Sequence, residues 1–85
     1  MSKDNTFNKE QFCTNLLLLR KKSKLTQKEV AQKIGVQKLA YGNYERGSRL
    51  PDIEKLYSLA KLFGVSTDTL LEGHWEININ NDNSK

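Results

Sequence analysis

Nine basic side chains, Arg20, Lys21, Lys22, Lys24, Lys28, Lys33, Lys38, Arg46 and Arg49, fall within residues 20–49, where only Glu29 and Glu45 oppose them. Residues 1–19 are neutral and residues 50–85 carry more acid than base, so the net charge of +4 understates one strongly cationic stretch. A surplus of this kind suits a surface that meets a polyanion. It also suits an ordinary solvated helix face, and charge alone does not choose between the two. Other chemistry is poorly supplied. Cys13 is the single cysteine and His74 the single histidine, so neither an internal disulfide nor a metal site at a standard spacing can be built. Cys13 reads as packing. No nucleophile–base pair or carboxylate dyad stands out, and the expectation is a protein that is not an enzyme and takes no cofactor, metal or small-molecule ligand.

The elements that must position the cationic residues follow from apolar spacing and caps. Eighty-five residues support one core. The longest apolar run, Leu16 to Leu19, is far too short to span a bilayer, and the first residues lack an export signal, which leads us to expect a cytoplasmic protein without membrane contact. Asn8 caps a first helix, with Gln11 reaching back, Phe7 stapled onto Phe12, and Phe12, Leu16 and Leu19 facing inward; it ends at Lys22 or Ser23. Thr26-Gln27-Lys28-Glu29 is a capping box with a Leu25–Val30 staple, opening a helix over about 27–34 that Gly35 ends. A third helix covers about 37–45 before Gly47. Asp52 caps a fourth, with Ile53, Leu56, Leu59, Ala60 and Phe63 inward, and Ser66 caps a fifth that stops by Gly73. The expected fold is all-α, with five helices in a domain over 8–73, an N-terminal arm over 1–7 and a tail over 74–85. The tail alternates polar and apolar residues over 74–79, as a strand does. Two readings stand for it: a short β-strand pairing with its own copy through Trp75, Ile77 and Ile79, or a tail with Trp75 folded back on its own subunit.

Residues Gln27 to Tyr44 have the spacing of a helix-turn-helix. Ala31 is small where the second helix crosses, Gly35 turns the chain, and Val30, Ile34, Val36 and Tyr41 point inward. That geometry leaves the second helix standing off the surface, with a width that fits a DNA major groove. The stretch LTQKEVAQKIGVQKLAYGNYERGSRLPDIEKLYSLAKLFGVSTDTLL resembles the Cro-like, xenobiotic-response-element family of helix-turn-helix repressors, in a match running from about Phe12 to Glu72. The family implies a five-helix domain that binds double-stranded, pseudo-palindromic DNA as a homodimer.

Carried over position by position, the resemblance places base reading on Gln37, Lys38, Leu39 and Asn43, with Gly42 facing the groove. The side chains are suited to it, with Gln for adenine N6 and N7, Lys for guanine O6 and N7, and Leu for a thymine methyl. Thr26, Gln27, Arg46, Ser48 and Arg49 fall on phosphate-contacting positions, and Gln27 also braces the recognition helix. Arg20 and Glu45 match an interior structural ion pair. Two departures stand out. Tyr41 occupies a position where a branched aliphatic residue is common, and its hydroxyl needs a polar partner or a phosphate. Gln37 occupies a position where Ser or Thr usually caps the helix. The functional expectation is a repressor acting by occlusion, since the exposed face of the second helix offers Lys28, Gln32 and Lys33 where activators of the family offer acids. A DNA-binding antitoxin or a protein-interaction module of the same fold is the alternative. A homodimer interface is expected from Phe63, Val65, Leu70 and Leu71 together with Trp75, Ile77 and Ile79.

Overall fold

A computed structural model describes residues 6–73 and contains, among them, five helices: α1 (Lys9–Lys22), α2 (Gln27–Ile34), α3 (Lys38–Arg46), α4 (Ile53–Phe63) and α5 (Thr67–Glu72). Four open on side-chain caps. Asn8, Thr26, Asp52 and Ser66 each accept a hydrogen bond from the backbone N–H three residues on, and Thr26 with Glu29 completes a reciprocal capping box. These bonds satisfy N–H groups that a helix start leaves without intrahelical partners. At α1 the expected reciprocal bond from Gln11 is not made. The Gln11 amide instead donates to Asn15 Oδ1 at 2.8 Å, one turn along the helix. Phe7 does pack on Phe12, with ring centroids 5.9 Å apart.

The core joins Phe12, Leu16 and Leu19 of α1 to Val30, Ala31 and Ile34 of α2, Tyr41 and Tyr44 of α3, Leu59 and Ala60 of α4, and Leu70 of α5. Asn15 is the buried polar member, fully enclosed, and its Nδ2 donates to the Leu70 carbonyl at 2.8 Å. Together with the bond from Gln11, this satisfies the amide and fastens α1 to the end of α5. Asn15 lies on the same i, i+3, i+4 stripe as Phe12, Leu16 and Leu19, a position the apolar pattern passes over because the residue is polar.

Two expectations are corrected here. Ile53, assigned to the inner face of α4, is 84% exposed, because the first turn of that helix overhangs the core and only Leu56 onward meets it. Leu70, assigned to a subunit interface, is fully buried inside its own subunit and presents no surface to a partner. The expected strand with Trp75, Ile77 and Ile79 lies outside the described residues. So do residues 1–5 of the expected arm.

Candidate nucleic-acid interface

The turn between α2 and α3 sets the site. Gly35 takes a left-handed conformation, φ 79°, which lets its N–H and that of Val36 close back on Gln32 and Ala31. A residue with a Cβ is strained there. Val36 packs against the core, and the chain re-enters a helix at Lys38 after a single extended residue, Gln37. The helix therefore starts one residue later and ends one later than the spacing predicts. Gln37 is its N-cap, but its side chain makes no capping bond.

Gln37, Lys38 and Leu39 are all exposed at the N-terminus of α3, and Leu39 is 69% exposed. On the inner side of the same helix Tyr41 and Tyr44 are buried, and their rings meet edge to face with centroids 6.1 Å apart. One side of α3 is thus spent on the core while its leading end stands free.

Behind α3, Glu45 gathers four hydrogen bonds. Arg20 Nε reaches Oε2 at 2.6 Å and Nη2 reaches Oε1 at 3.3 Å, the Tyr41 hydroxyl donates to Oε2 at 2.7 Å, and Gln27 Nε2 donates to Oε1 at 2.9 Å. Arg20 Nη1 also donates to the Leu25 carbonyl at 3.0 Å, tying in the start of α2. The Arg20 and Glu45 side chains are 13% and 7% exposed, so the pair is close to dry. Burial alone would raise the pKa of Glu45. The hydrogen bonds from Arg20, Tyr41 and Gln27, with the Arg20 charge, outweigh it and hold the carboxyl below its ordinary value. The Tyr41 phenol is pushed far up, first by burial and then by its bond to Glu45, so it stays protonated and donates. The hydroxyl for which the sequence names no partner belongs to this network. Gln27 is bound as the brace between α2 and α3.

A second network lies on the outer side. Asn43 Oδ1 accepts from the Arg46 guanidinium and, at 3.1 Å, from the Ser48 hydroxyl. Three residues assigned separate DNA contacts are therefore held together. Gly42 is the seat of this arrangement: a Cβ there would lie 3.2 Å from Arg46 Nη1 and 3.5 Å from Gln27 Oε1. The expectation that Gly42 faces the groove is corrected, since it lies buried beneath the Arg46 and Gln27 side chains. Arg49 is exposed in the loop beyond, and Thr26 is exposed with its oxygen accepting from Glu29 N–H at 3.1 Å. Cys13 behaves as packing, its thiol donating to the Tyr44 carbonyl at 3.4 Å, and burial raises its pKa.

A braced helix pair whose second member presents an uncovered polar leading end is the architecture of a helix-turn-helix module. A family model described as helix-turn-helix matches residues 16–70, and the chain belongs to that family, of the Cro-like, xenobiotic-response-element type. It is 47% identical over 60 residues to the uncharacterized HTH-type transcriptional regulator YobD of Bacillus subtilis, covering 71% of this chain and 54% of that protein. The fold is similar to that of the P22 c2 repressor protein in complex with a synthetic operator, with TM-score 0.70, 32% identity, and 73% and 94% of the two chains covered. It is also similar to the regulator of biofilm formation SinR of Bacillus subtilis in complex with DNA, with TM-score 0.66, 29% identity, and 72% and 98% covered. The chain thus spans about half the length of its relative YobD and nearly the whole of the two structural neighbours.

Proposed function

We propose that this chain is a sequence-specific, double-stranded DNA-binding transcriptional regulator that acts as a homodimer on a pseudo-palindromic operator and represses by occlusion. The observation that carries it is the leading end of α3: Gln37, Lys38 and Leu39 stand exposed on a helix whose other side is locked to α1 and α2 through Glu45. A rigid helix with free donors, an acceptor and a methyl-bearing side chain at its N-terminus can read base edges in a groove about 12 Å wide. Thr26 and Gln27 at the start of α2, and Arg46, Ser48 and Arg49 at and beyond the far end of α3, are the residues proposed to take phosphate contacts, which fix register rather than sequence. The complexes of P22 c2 repressor with operator and of SinR with DNA support this reading.

Repression is supported by the outer face of α2, where Lys28, Gln32 and Lys33 are exposed and the one acid, Glu29, is turned back onto the Thr26 N–H at 2.8 Å. That face offers no acidic patch for an activating contact. The dimer is proposed on physical grounds: one short helix reads too few base pairs for useful affinity, and a two-fold axis doubles the contacts. Phe63, Val65 and Leu71 are half-buried at the edge of the core, and Leu71 opens onto an apolar groove with Phe7, Leu50 and Pro51, which supports a partner on that side. Trp75, Ile77 and Ile79 are proposed to extend it. The test is to recover duplexes from a random pool and measure the protein bound per duplex. Two protomers on inverted half-sites about 10–10.5 base pairs apart are expected, and a single protomer on a site without symmetry would contradict the proposal.

A further inference from the structure

Asn43 lies one turn beyond Leu39 on α3, half-buried, at one of the positions assigned to base reading. An asparagine normally reads adenine with both ends of its amide, accepting from N6 and donating to N7. Here the accepting end is spent. Oδ1 takes one hydrogen bond from the Arg46 guanidinium and one from the Ser48 hydroxyl. Arg46 has donors only, so the amide end that faces it must be the oxygen, and a carbonyl oxygen has two lone pairs to give. Gly42 helps the arrangement fit, since a Cβ there would lie 3.2 Å from Arg46 Nη1, closer than an ordinary contact, with Nη2 at an ordinary 3.7 Å.

We infer that Asn43 reads DNA as a donor only and selects guanine, with Arg46 and Ser48 as the residues that position its amide. The inference rests on the proposal that α3 enters the major groove. Guanine offers two adjacent acceptors, O6 and N7, to the two N–H bonds of the amide. Thymine offers one acceptor, adenine sets its N6 amino group against the amide, and cytosine presents a donor alone. Arg46 keeps Nε and Nη1 for a phosphate, so a backbone contact and a base choice are joined through one side chain.

The test is selection of bound sites from random duplex DNA by the full chain and by its variants, with circular dichroism melting to establish that each is folded. The wild type is expected to enrich guanine over adenine at least about fivefold at one position of each half-site. Asn43→Ala removes that preference and leaves the other positions intact. Asn43→Asp keeps the acceptor for Arg46 and Ser48 but replaces the amide donors, and moves the preference toward cytosine. Arg46→Ala combined with Ser48→Ala frees Oδ1 and brings adenine in at the same position, on a background of weaker affinity everywhere. Adenine selected by the wild type at the position that Asn43→Ala relaxes, or no position relaxed by either Asn43 variant, overturns the inference while leaving DNA reading by α3 standing. A wild-type pool with no enriched sequence overturns the DNA-reading proposal itself and this inference with it.

Discussion

At the scale of single residues, Glu45 decides whether α3 is held at all. Removing it leaves the Arg20 guanidinium almost dry and without its counter-charge, and also strands the Tyr41 hydroxyl and the Gln27 amide. Glu45→Ala is expected to destabilise the fold by about 3 kcal/mol, with DNA binding lost as a consequence; chemical denaturation checks it, and a variant that melts like wild type yet binds nothing would contradict it. Tyr41→Phe removes one donor to the same carboxylate and should cost about 1–2 kcal/mol. The pH dependence follows from the same network. Because Glu45 titrates below its ordinary 4.5 in the folded chain, its contribution is complete above that value and lost as pH falls through the lowered one. Melting curves of wild type and Glu45→Gln should therefore differ most at neutral pH and converge in acid. The pairing of Arg20 with Glu45 was legible only through the family resemblance, since 25 residues separate them. Tyr41 stands one turn before Glu45 on α3, a spacing that permits their bond, but nothing in spacing announced that Gln27 converges on the same carboxylate, because that depends on how α2 crosses α3.

At the scale of elements, four of the five helix starts were legible because caps act within three residues, and those short-range bonds are present at Asn8, Thr26, Asp52 and Ser66; α3, without a side-chain cap, starts one residue later than the spacing predicts. Ends marked by glycine were legible for the same reason. The end of α1 was legible in position, at Lys22, but not in how the chain leaves it. Lys24 closes it with a left-handed φ of 61°, a conformation that no sequence pattern assigns to a lysine. Lys24→Gly should relieve about 0.5–1 kcal/mol of that strain, and would raise the melting temperature by several degrees in a domain of this size. Gln37 makes the converse trade at α3. It caps with backbone geometry alone, so Gln37→Ser is expected to stabilise the helix by about 0.5–1 kcal/mol while discarding a reading side chain. On this one variant, thermal stability should rise while sequence preference weakens. Ile53 shows what periodicity misses: it marks a face, but not where along the helix the core stops.

At the scale of the whole molecule, the uneven charge of residues 20–49 becomes a surface whose affinity for duplex DNA must fall with salt, since each phosphate contact releases counterions. Log affinity should drop linearly with log salt concentration. Arg49→Ala should weaken binding to every sequence alike and flatten that slope by about one contact per protomer. The fold class and the position of the reading helix were legible because a single core of local elements leaves few arrangements. The interface of the proposed dimer was not, because a dimer would bury what a lone chain leaves at its edge, and Leu70, assigned there, is buried within its own chain. Whether the leading end of α3 reads duplex DNA is decided by site selection with the wild type and with Gln37, Lys38 and Leu39 all changed to Ala. A two-fold symmetric site is expected for the wild type. The folded triple variant should keep a salt-dependent affinity for random duplex while losing the preference at the inner positions of each half-site. An unchanged selected site in the triple variant would contradict reading by that end of the helix.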